Sequence, residues 1–293
     1  MKKIAIYGNP RQNGYISRIA DFLHTLEAAD TELWLYDEFG SWLRRNGVTG
    51  SWRLTSVLPA DVWRLVSIGG DGTFLRTARW AGKSQVPILG INTGHLGFLA
   101  SYSFDETDEL LHELLEGGGK IEPRMVLRLH SDSLPEGIWP YALNEVAILK
   151  CDTASMLTAR TWIDSHYLAD YLADGLIMAT PTGSTAYNLS VGGPIIEPTV
   201  ENIVLSPVAP HSLTMRPLVV GGKSTVDVAV FSKPQRCRIS IDGRAFSIKC
   251  DSGATQSAPT LRVTKADFHV NILRRPDSDF ADILRKKLLW GQR

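Results

Sequence analysis

The sequence predicts an α/β N-terminal domain on a parallel sheet, an all-β, sandwich-like C-terminal domain, and a last helix that returns to the first domain. Three observations predict it. Apolar runs alternate with helical stripes up to residue 119. From residue 120 the pattern changes to short, β-branched, often alternating segments separated by turn residues. Helical spacing returns after about residue 272. The expected domains are therefore 1–119 joined by 272–293, and 120–271.

Taken in order, "KIAIY" reads as a buried strand and "GNPRQNG" as the turn after it. Ile16, Ile19, Ala20, Leu23 and Leu26 share one helical stripe. "TELWLYDEF" reads as a second strand. Residues 40–60 carry Gly, Ser, Thr, Asn and Pro in no clear period and read as a long loop. "WRLVSIGG" is a third strand, "TFLRTARWAG" a short helix stopped by Gly82, and "VPILGINTG" a fourth strand. In "SFDETDELLHELLEGGG", Ser103 and Glu106 stand at capping-box spacing ahead of an apolar stripe and a glycine stop. The second half shows strand grammar in "KIEPRMVLRLHSD", "YALNEVAILK", "MLTARTWID", "STVDVAVFS", "RCRISIDG" and "TLRVTKADFHVNIL". The tail "DSDFADILRKKLLW" puts Phe280, Ile283, Leu284 and Leu288 on one helical face.

Hydrophobic residues make up 44% of the chain and charged ones 21%, enough for a substantial core. Lys+Arg and Asp+Glu both number 31, so no global basicity calls for nucleic acid or an anionic membrane as partner. No apolar run approaches the roughly 18 residues of a membrane-spanning helix. The opening "MKKIAIYGNP" breaks too early for a signal peptide. Cys151, Cys237 and Cys250 are odd in number and lack metal-ligand spacing. They are expected to be reduced and packed as small hydrophobes in a cytoplasmic protein.

The chemistry begins at "RLVSIGGDGTFLR", residues 64–76. In open α/β sheets the ligand crevice lies beyond the carboxyl ends of the strands. Gly69, Gly70 and Gly72 let a ligand approach the backbone there, Thr73 can cap the following helix, and Arg76 is one turn further in. This is neither a dinucleotide fingerprint nor a P-loop, and an Asp-Gly pair also suits a plain turn. As part of a site, Asp71 among phosphates serves either as acceptor of a proton from an attacking hydroxyl or as a metal ligand. Asn144-Glu145 reads as a surface pair, or as a reader of an adenine edge or ribose hydroxyls. In "TPTGSTAY", Thr180, Thr182, Ser184 and Thr185 precede Tyr187 around Gly183, which points to a binding wall with an aromatic ring for stacking.

Four segments in order resemble the NAD kinase family: "GGDGT" at 69–73, "GINTGHLGFL" at 90–99, "NE" at 144–145 and "DGLIMATPTGSTAYNLSVGGPI" at 174–195. "APHSLTMRPLV" at 209–219 is similar to a fifth. The resemblance implies a parallel, Rossmann-like sheet in the first domain. It also implies transfer of a phosphoryl group from ATP, or another donor, to the adenosine-ribose 2′-hydroxyl of NAD, with a divalent metal such as Mg²⁺. Asp71 falls on the proton acceptor, within the phosphate loop of Gly69, Gly70 and Thr73. Gly72, Phe74, Arg76 and Asn92 fall on dinucleotide contacts, and Asn144 and Glu145 on the adenosine pair. Asp174, Thr182, Ser184, Thr185, Ala186, Tyr187 and Ser190 fall on the wall for the base and nicotinamide, with Ser155 and Ala209 as further pocket positions. The family completes this wall across a subunit interface, which implies a homo-oligomer, dimer or tetramer. Arg244 in "IDGRAF" stands where many members have glutamine. Two rivals remain: a lipid kinase sharing "GGDG", against which the polar wall argues, and a non-catalytic dinucleotide sensor, against which the intact Asp71 argues.

Overall fold

The computed structural model describes residues 1–94, 97–151, 155–250 and 260–291. His95 and Leu96 of "GINTGHLGFL" lie outside them. The chain divides into two compact units, Met1–Pro123 with Val270–Arg293, and Arg124–His269.

The first unit runs β1 (Lys2–Gly8), α1 (Ile16–Ala28), β2 (Thr31–Tyr36), α2 (Asp37–Arg45), β3 (Arg53–Thr55), β4 (Arg64–Ile68), α3 (Asp71–Ala81), β5 (Ile88–Asn92), β6 (Tyr102–Ser103) and α4 (Thr107–Glu116). The order β3-β2-β1-β4-β5 is parallel throughout, and β6 joins β5. Every residue of β4 and β5 is buried, which is why both read as unbroken runs rather than alternating ones. The apolar stripe of α1 packs Ile19, Phe22, Leu23 and Leu26 into the core. The capping box is formed: Ser103 N–H donates to Glu106 at 3.0 Å, and the Ser103 hydroxyl accepts from Asp105 N–H.

Residues 40–60 are not one long loop. The second strand stops at Tyr36, and α2 and β3 occupy part of the stretch assigned to irregular chain. Gly40 and Ser41 are weak helix formers and dilute the pattern. The helix is held instead by burial of Phe39, Trp42 and Leu43, with Asp37 and Glu38 at its start and Arg44 and Arg45 at its end, as its dipole favours. Gly40 permits close packing, because a Cβ there would overlap Leu54.

The second unit contains two antiparallel sheets made from β7 (Lys120–His130), β8 (Tyr141–Ala142), β9 (Glu145–Lys150), β10 (Leu157–Ile163), β11 (His166–Ala173), β12 (Gly175–Ala179), the short helix α5 (Tyr187–Ser190), β13 (Asn202–Val208), β14 (Leu218–Gly221), β15 (Val226–Phe231), β16 (Arg236–Ile241), β17 (Arg244–Lys249) and β18 (Thr260–Arg274). One sheet is ordered β11-β10-β15-β18, with β7 between β18 and β8; the other is β14-β13-β12-β9-β16-β17. Their side chains share one core, including Leu127, Ile148, Leu176, Val228 and Ile239. Cys237 and Cys250 are buried in it. A smaller cluster of Ala147, Ile177, Ala179 and Val204 is covered by Val191 and Ile196 from the loop after β12. The sequence pattern did not single out β11, β13, β14 or β17. β12 is buried at every residue, so it has no alternation to read.

The end of β18 returns to the first unit, where Ile272 and Leu273 pair in parallel with Ile88 and Leu89. It leads to α6 (Phe280–Leu288), capped by the Asp279 carboxylate on Ala281 N–H at 3.0 Å. Among the described residues no helix is long and apolar enough to cross a membrane.

Candidate active site

In the first unit the chain leaves β4 through Gly69, whose φ of +149° favours glycine and where a side chain would overlap Thr73. Gly70 caps α3, and Asp71 is the helix's first residue. Its carboxylate therefore stands at the positive end of the helix dipole. Oδ2 of Asp71 accepts from Phe98 N–H at 2.9 Å, while Oδ1 accepts from Leu99 at 3.1 Å and Ala100 at 3.4 Å. Gly97 belongs to the same clasp, because a Cβ there would overlap Asp71 Oδ1. A Cβ at Gly70 or Gly72 would meet nothing within 4 Å, so both leave the backbone open to a ligand.

The expected helix cap at Thr73 is corrected. Gly70 occupies the cap without any side-chain bond, and Thr73 is buried in the first turn with its N–H on Gly70 O at 2.9 Å. The reason is that α3 starts two residues earlier than the apolar pattern suggests. Phe74 is fully buried, so its side chain packs beneath the loop and offers no surface to a ligand. Arg76 is exposed on α3. Asn92, at the end of β5, accepts from Gly94 N–H at 2.8 Å. It lines a cavity of about 630 Å³ with Ser101, Tyr102, Ser103, Arg275 and Lys286. Gln12, which sequence reasoning passed over as turn material, donates to Ile68 O at 3.2 Å, and its buried Oε1 has no hydrogen-bond partner among the described residues.

In the second unit the Asn144-Glu145 turn is buried and held on two sides. Asp242 accepts three consecutive N–H groups, from Leu143 at 2.8 Å, Asn144 at 2.8 Å and Glu145 at 3.1 Å. From the other side Thr180 N–H donates to Asn144 O at 2.8 Å, and the Thr180 hydroxyl donates to Leu143 O at 2.6 Å. Gly183 rests on the Asn144 carbonyl, where a Cβ would overlap it. Burial, followed by the Asp242 carboxylate, pushes Glu145 up to about 8, and the N–H of Tyr187 that it accepts opposes this. Burial also pushes Asp242 up, against its three N–H donors and the charge of Arg244. Asp242 accepts three such donors and Glu145 one, so of the two Glu145 is the readier to hold a proton.

The hydroxyl-rich loop is only partly a wall. Thr180 is fully buried and bonded internally, and Ser184 is bonded through its hydroxyl to Ile196 N–H at 3.0 Å. Thr182 accepts from the buried Arg124 at 3.2 Å, and Thr185 donates to Thr182 O at 3.3 Å. Asn188 pins the loop through Ser184 O, Pro194 O and the Ser206 hydroxyl. Tyr187 and Ser190 are exposed and Ala186 half-buried. Asp174 forms an ion pair with Lys150 at 2.6 Å. Ser155 donates to Lys233 O, and Ala209 is exposed with a left-handed φ of +44°. Arg244 donates to Trp139 O at 3.2 Å and Tyr141 O at 3.3 Å. The structure thus brings Gly183 and Tyr187 to the Asn144–Glu145 turn and ties Ser155 to the Lys233 segment. Sequence reasoning missed Asp242 and Arg124. Asp242 carried the signal of an Asp-Gly hairpin pair, and the buried charge of Arg124 carried none.

A carboxylate at a helix N-terminus beside open glycine backbone suits phosphoryl transfer, which asks for positioning and charge stabilisation. The family models agree: residues 53–119 match the ATP-NAD kinase N-terminal domain and 143–274 the ATP-NAD kinase C-terminal domain. The chain is 41% identical over 297 residues to the NAD kinase of Porphyromonas gingivalis, covering 99% of both. It is also 41% identical to that of Bacteroides fragilis, covering 99% of this chain and 98% of the relative. The crystal structure of an NAD kinase from Archaeoglobus fulgidus in complex with ATP superposes with a TM-score of 0.72 at 26% identity, covering 98% of this chain and 99% of that one. Yeast NADH kinase complexed with NADH shares the fold, with a TM-score of 0.87 at 22% identity over 100% of this chain and 89% of that one. The chain belongs to the NAD kinase family.

Proposed function

We propose that this enzyme phosphorylates the adenosine-ribose 2′-hydroxyl of NAD with ATP, giving NADP, and that Asp71 is the proton acceptor. The observation that carries the assignment is the Asp71 clasp. A carboxylate offers about four acceptor directions, and three are taken by Phe98, Leu99 and Ala100. Oδ2 keeps one, and the 2′-hydroxyl proton passes to that atom as the oxygen attacks the γ-phosphorus, the bond from that phosphorus to the β,γ-bridging oxygen breaks and ADP leaves. Asn144 and Glu145 hold the adenosine, and Tyr187 offers a ring for stacking. Gly70, Gly72 and the first turn of α3 receive phosphate oxygens through backbone N–H groups.

No three His, Cys, Asp or Glu side chains among the described residues form a metal cage. A divalent cation such as Mg²⁺ would be carried on the substrate phosphates, its commoner mode of binding, and would supply charge neutralisation there. A homo-oligomer is part of the same proposal and is checked by sedimentation.

The test is NADP formation from NAD, ATP and Mg²⁺, followed with an NADP-specific dehydrogenase. Asp71→Asn is expected to lose roughly 10²–10⁴-fold in turnover while still binding NAD. An unchanged rate in that variant removes Asp71 as the base. Binding of NAD without NADP formation, with any donor, leaves the sensor reading in its place.

A further inference from the structure

Asp242 and Gly243 form the two-residue hairpin between β16 and β17, where Ile241 pairs with Arg244. Both have positive φ, +47° and +76°, the signature of a type I′ turn. A turn alone would account for an Asp-Gly pair there. It does not account for the carboxylate, which collects three N–H groups from a different part of the chain. The link is reciprocal, since Asp242 N–H donates to Glu145 O at 3.1 Å. Three successive N–H groups converging on one anion bend the backbone between β8 and β9 into a nest. That bend is where Asn144 and Glu145 stand.

We propose that Asp242 is the positioning residue for dinucleotide recognition: its carboxylate accepts the three successive N–H groups that shape the Leu143–Glu145 turn. The inference rests on the reading that Asn144 and Glu145 hold the adenosine. A neutral Glu145 carries an O–H and can donate as well as accept, so with the Asn144 amide the turn offers donors and acceptors side by side. The groups that bear on Glu145 are few. Asp242 faces it from the β16–β17 turn, Arg244 acts on Asp242 from β17, and α5 contributes the Tyr187 N–H. As pH rises through about 8, Glu145 loses its proton beside a second anion and the donor is lost.

The experiment compares KM and kcat of wild type, Asn144→Ala, Glu145→Gln and Asp242→Asn between pH 6 and 9. Asparagine suits the same left-handed turn position, so Asp242→Asn removes the charge and one acceptor while keeping the hairpin. It is expected to raise KM for NAD about tenfold or more, with KM for ATP and kcat within about threefold, the pattern of lost ground-state binding. Wild type is expected to show KM for NAD rising near pH 8. That limb moves to lower pH in Asp242→Asn, because the anion that held the Glu145 proton is gone, and is absent in Glu145→Gln.

If Asn144→Ala and Glu145→Gln leave KM for NAD unchanged, the adenosine reading fails and this inference with it. If they raise it while Asp242→Asn changes neither KM nor limb, only the positioning role is overturned. Should Asp242→Asn not fold, Asp242→Gly decides, since glycine suits the same left-handed turn position and has no carboxylate: a raised KM for NAD with kcat kept supports the inference, and an unchanged KM overturns it.

Discussion

The two units use one device for opposite ends. In the first, Asp71 gathers the N–H groups of Phe98, Leu99 and Ala100; in the second, Asp242 gathers those of Leu143, Asn144 and Glu145. Three successive backbone donors converge on one carboxylate in each case. The surroundings differ. Asp71 opens a helix between glycines whose missing side chains leave space, and its clasp leaves an acceptor direction for a ligand. Asp242 lies in a hairpin, with Glu145 and Arg244 as its ionisable neighbours. A clasp that keeps one side open fixes a reacting atom in place. The one in the hairpin passes its geometry to the residues that donate to it.

The comparison breaks most easily at Gly97. A Cβ there would overlap Asp71 Oδ1, and that carboxylate is held by three backbone N–H groups and does not swing aside without losing them. Gly97→Ala is expected to push the carboxylate off its three donors by a fraction of an ångström or more. Turnover should fall about 10–100-fold, since misplacement on the order of 1 Å can cost that much. KM for NAD should change far less. Steady-state kinetics checks both, and wild-type turnover in Gly97→Ala would mean the clasp does not set the reactive geometry.

The second clasp is sharpened through the proton it holds. Glu145 is buried, and its carboxyl is raised from 4.5 to about 8. In that window the folded chain keeps a proton that the unfolded chain releases. The contribution to stability is thus fully present below about 4.5 and is lost as pH rises through 8. Urea unfolding at pH 5, 6.5 and 8 should show wild-type stability falling more steeply than that of Glu145→Gln, by up to roughly 1.4 kcal/mol per pH unit. Parallel curves for the two proteins would place the proton elsewhere.

The same contrast explains what could be read from the sequence. Asp71 was legible because glycines cluster around it at the end of an apolar run and a helical stripe follows, so local pattern and chemistry coincide. The change of period near residue 120 likewise announced two architectures, because strands with one exposed face alternate. Asp242 was illegible because its partners are about a hundred residues away and Asp-Gly is what any tight hairpin uses. Thr180 and Ser184 looked like ligand donors because hydroxyls in a loop cannot be told apart by composition. Only the fold assigns one to Leu143 O and the other to Ile196. The helix α2 was hidden by Gly40, whose place is set by Leu54 across a packing contact and not by any local signal.

Arg244 carries the smallest expected effect and is the most direct check on how far the family pattern transfers. Its guanidinium spans the carbonyls of Trp139 and Tyr141, just before the turn that Asp242 shapes. Trp139 and Tyr141 pack ring to ring at 4.7 Å, and Tyr141 meets Phe268 at 5.0 Å, so the arginine closes the edge of an aromatic cluster. Glutamine, the residue the family resemblance leads one to expect here, is shorter and brings only one amide group. Arg244→Gln is therefore expected to cost about 1 kcal/mol of stability through lost hydrogen bonds. KM for NAD should stay within about threefold, since the geometry gives the side chain a structural partner on each nitrogen that donates. Thermal unfolding and kinetics on the same preparation separate the outcomes. A KM rise of about tenfold at unchanged stability, worth about 1.4 kcal/mol, would instead make Arg244 a direct dinucleotide contact. The hairpin would then serve recognition through both of its flanking residues rather than through Asp242 alone.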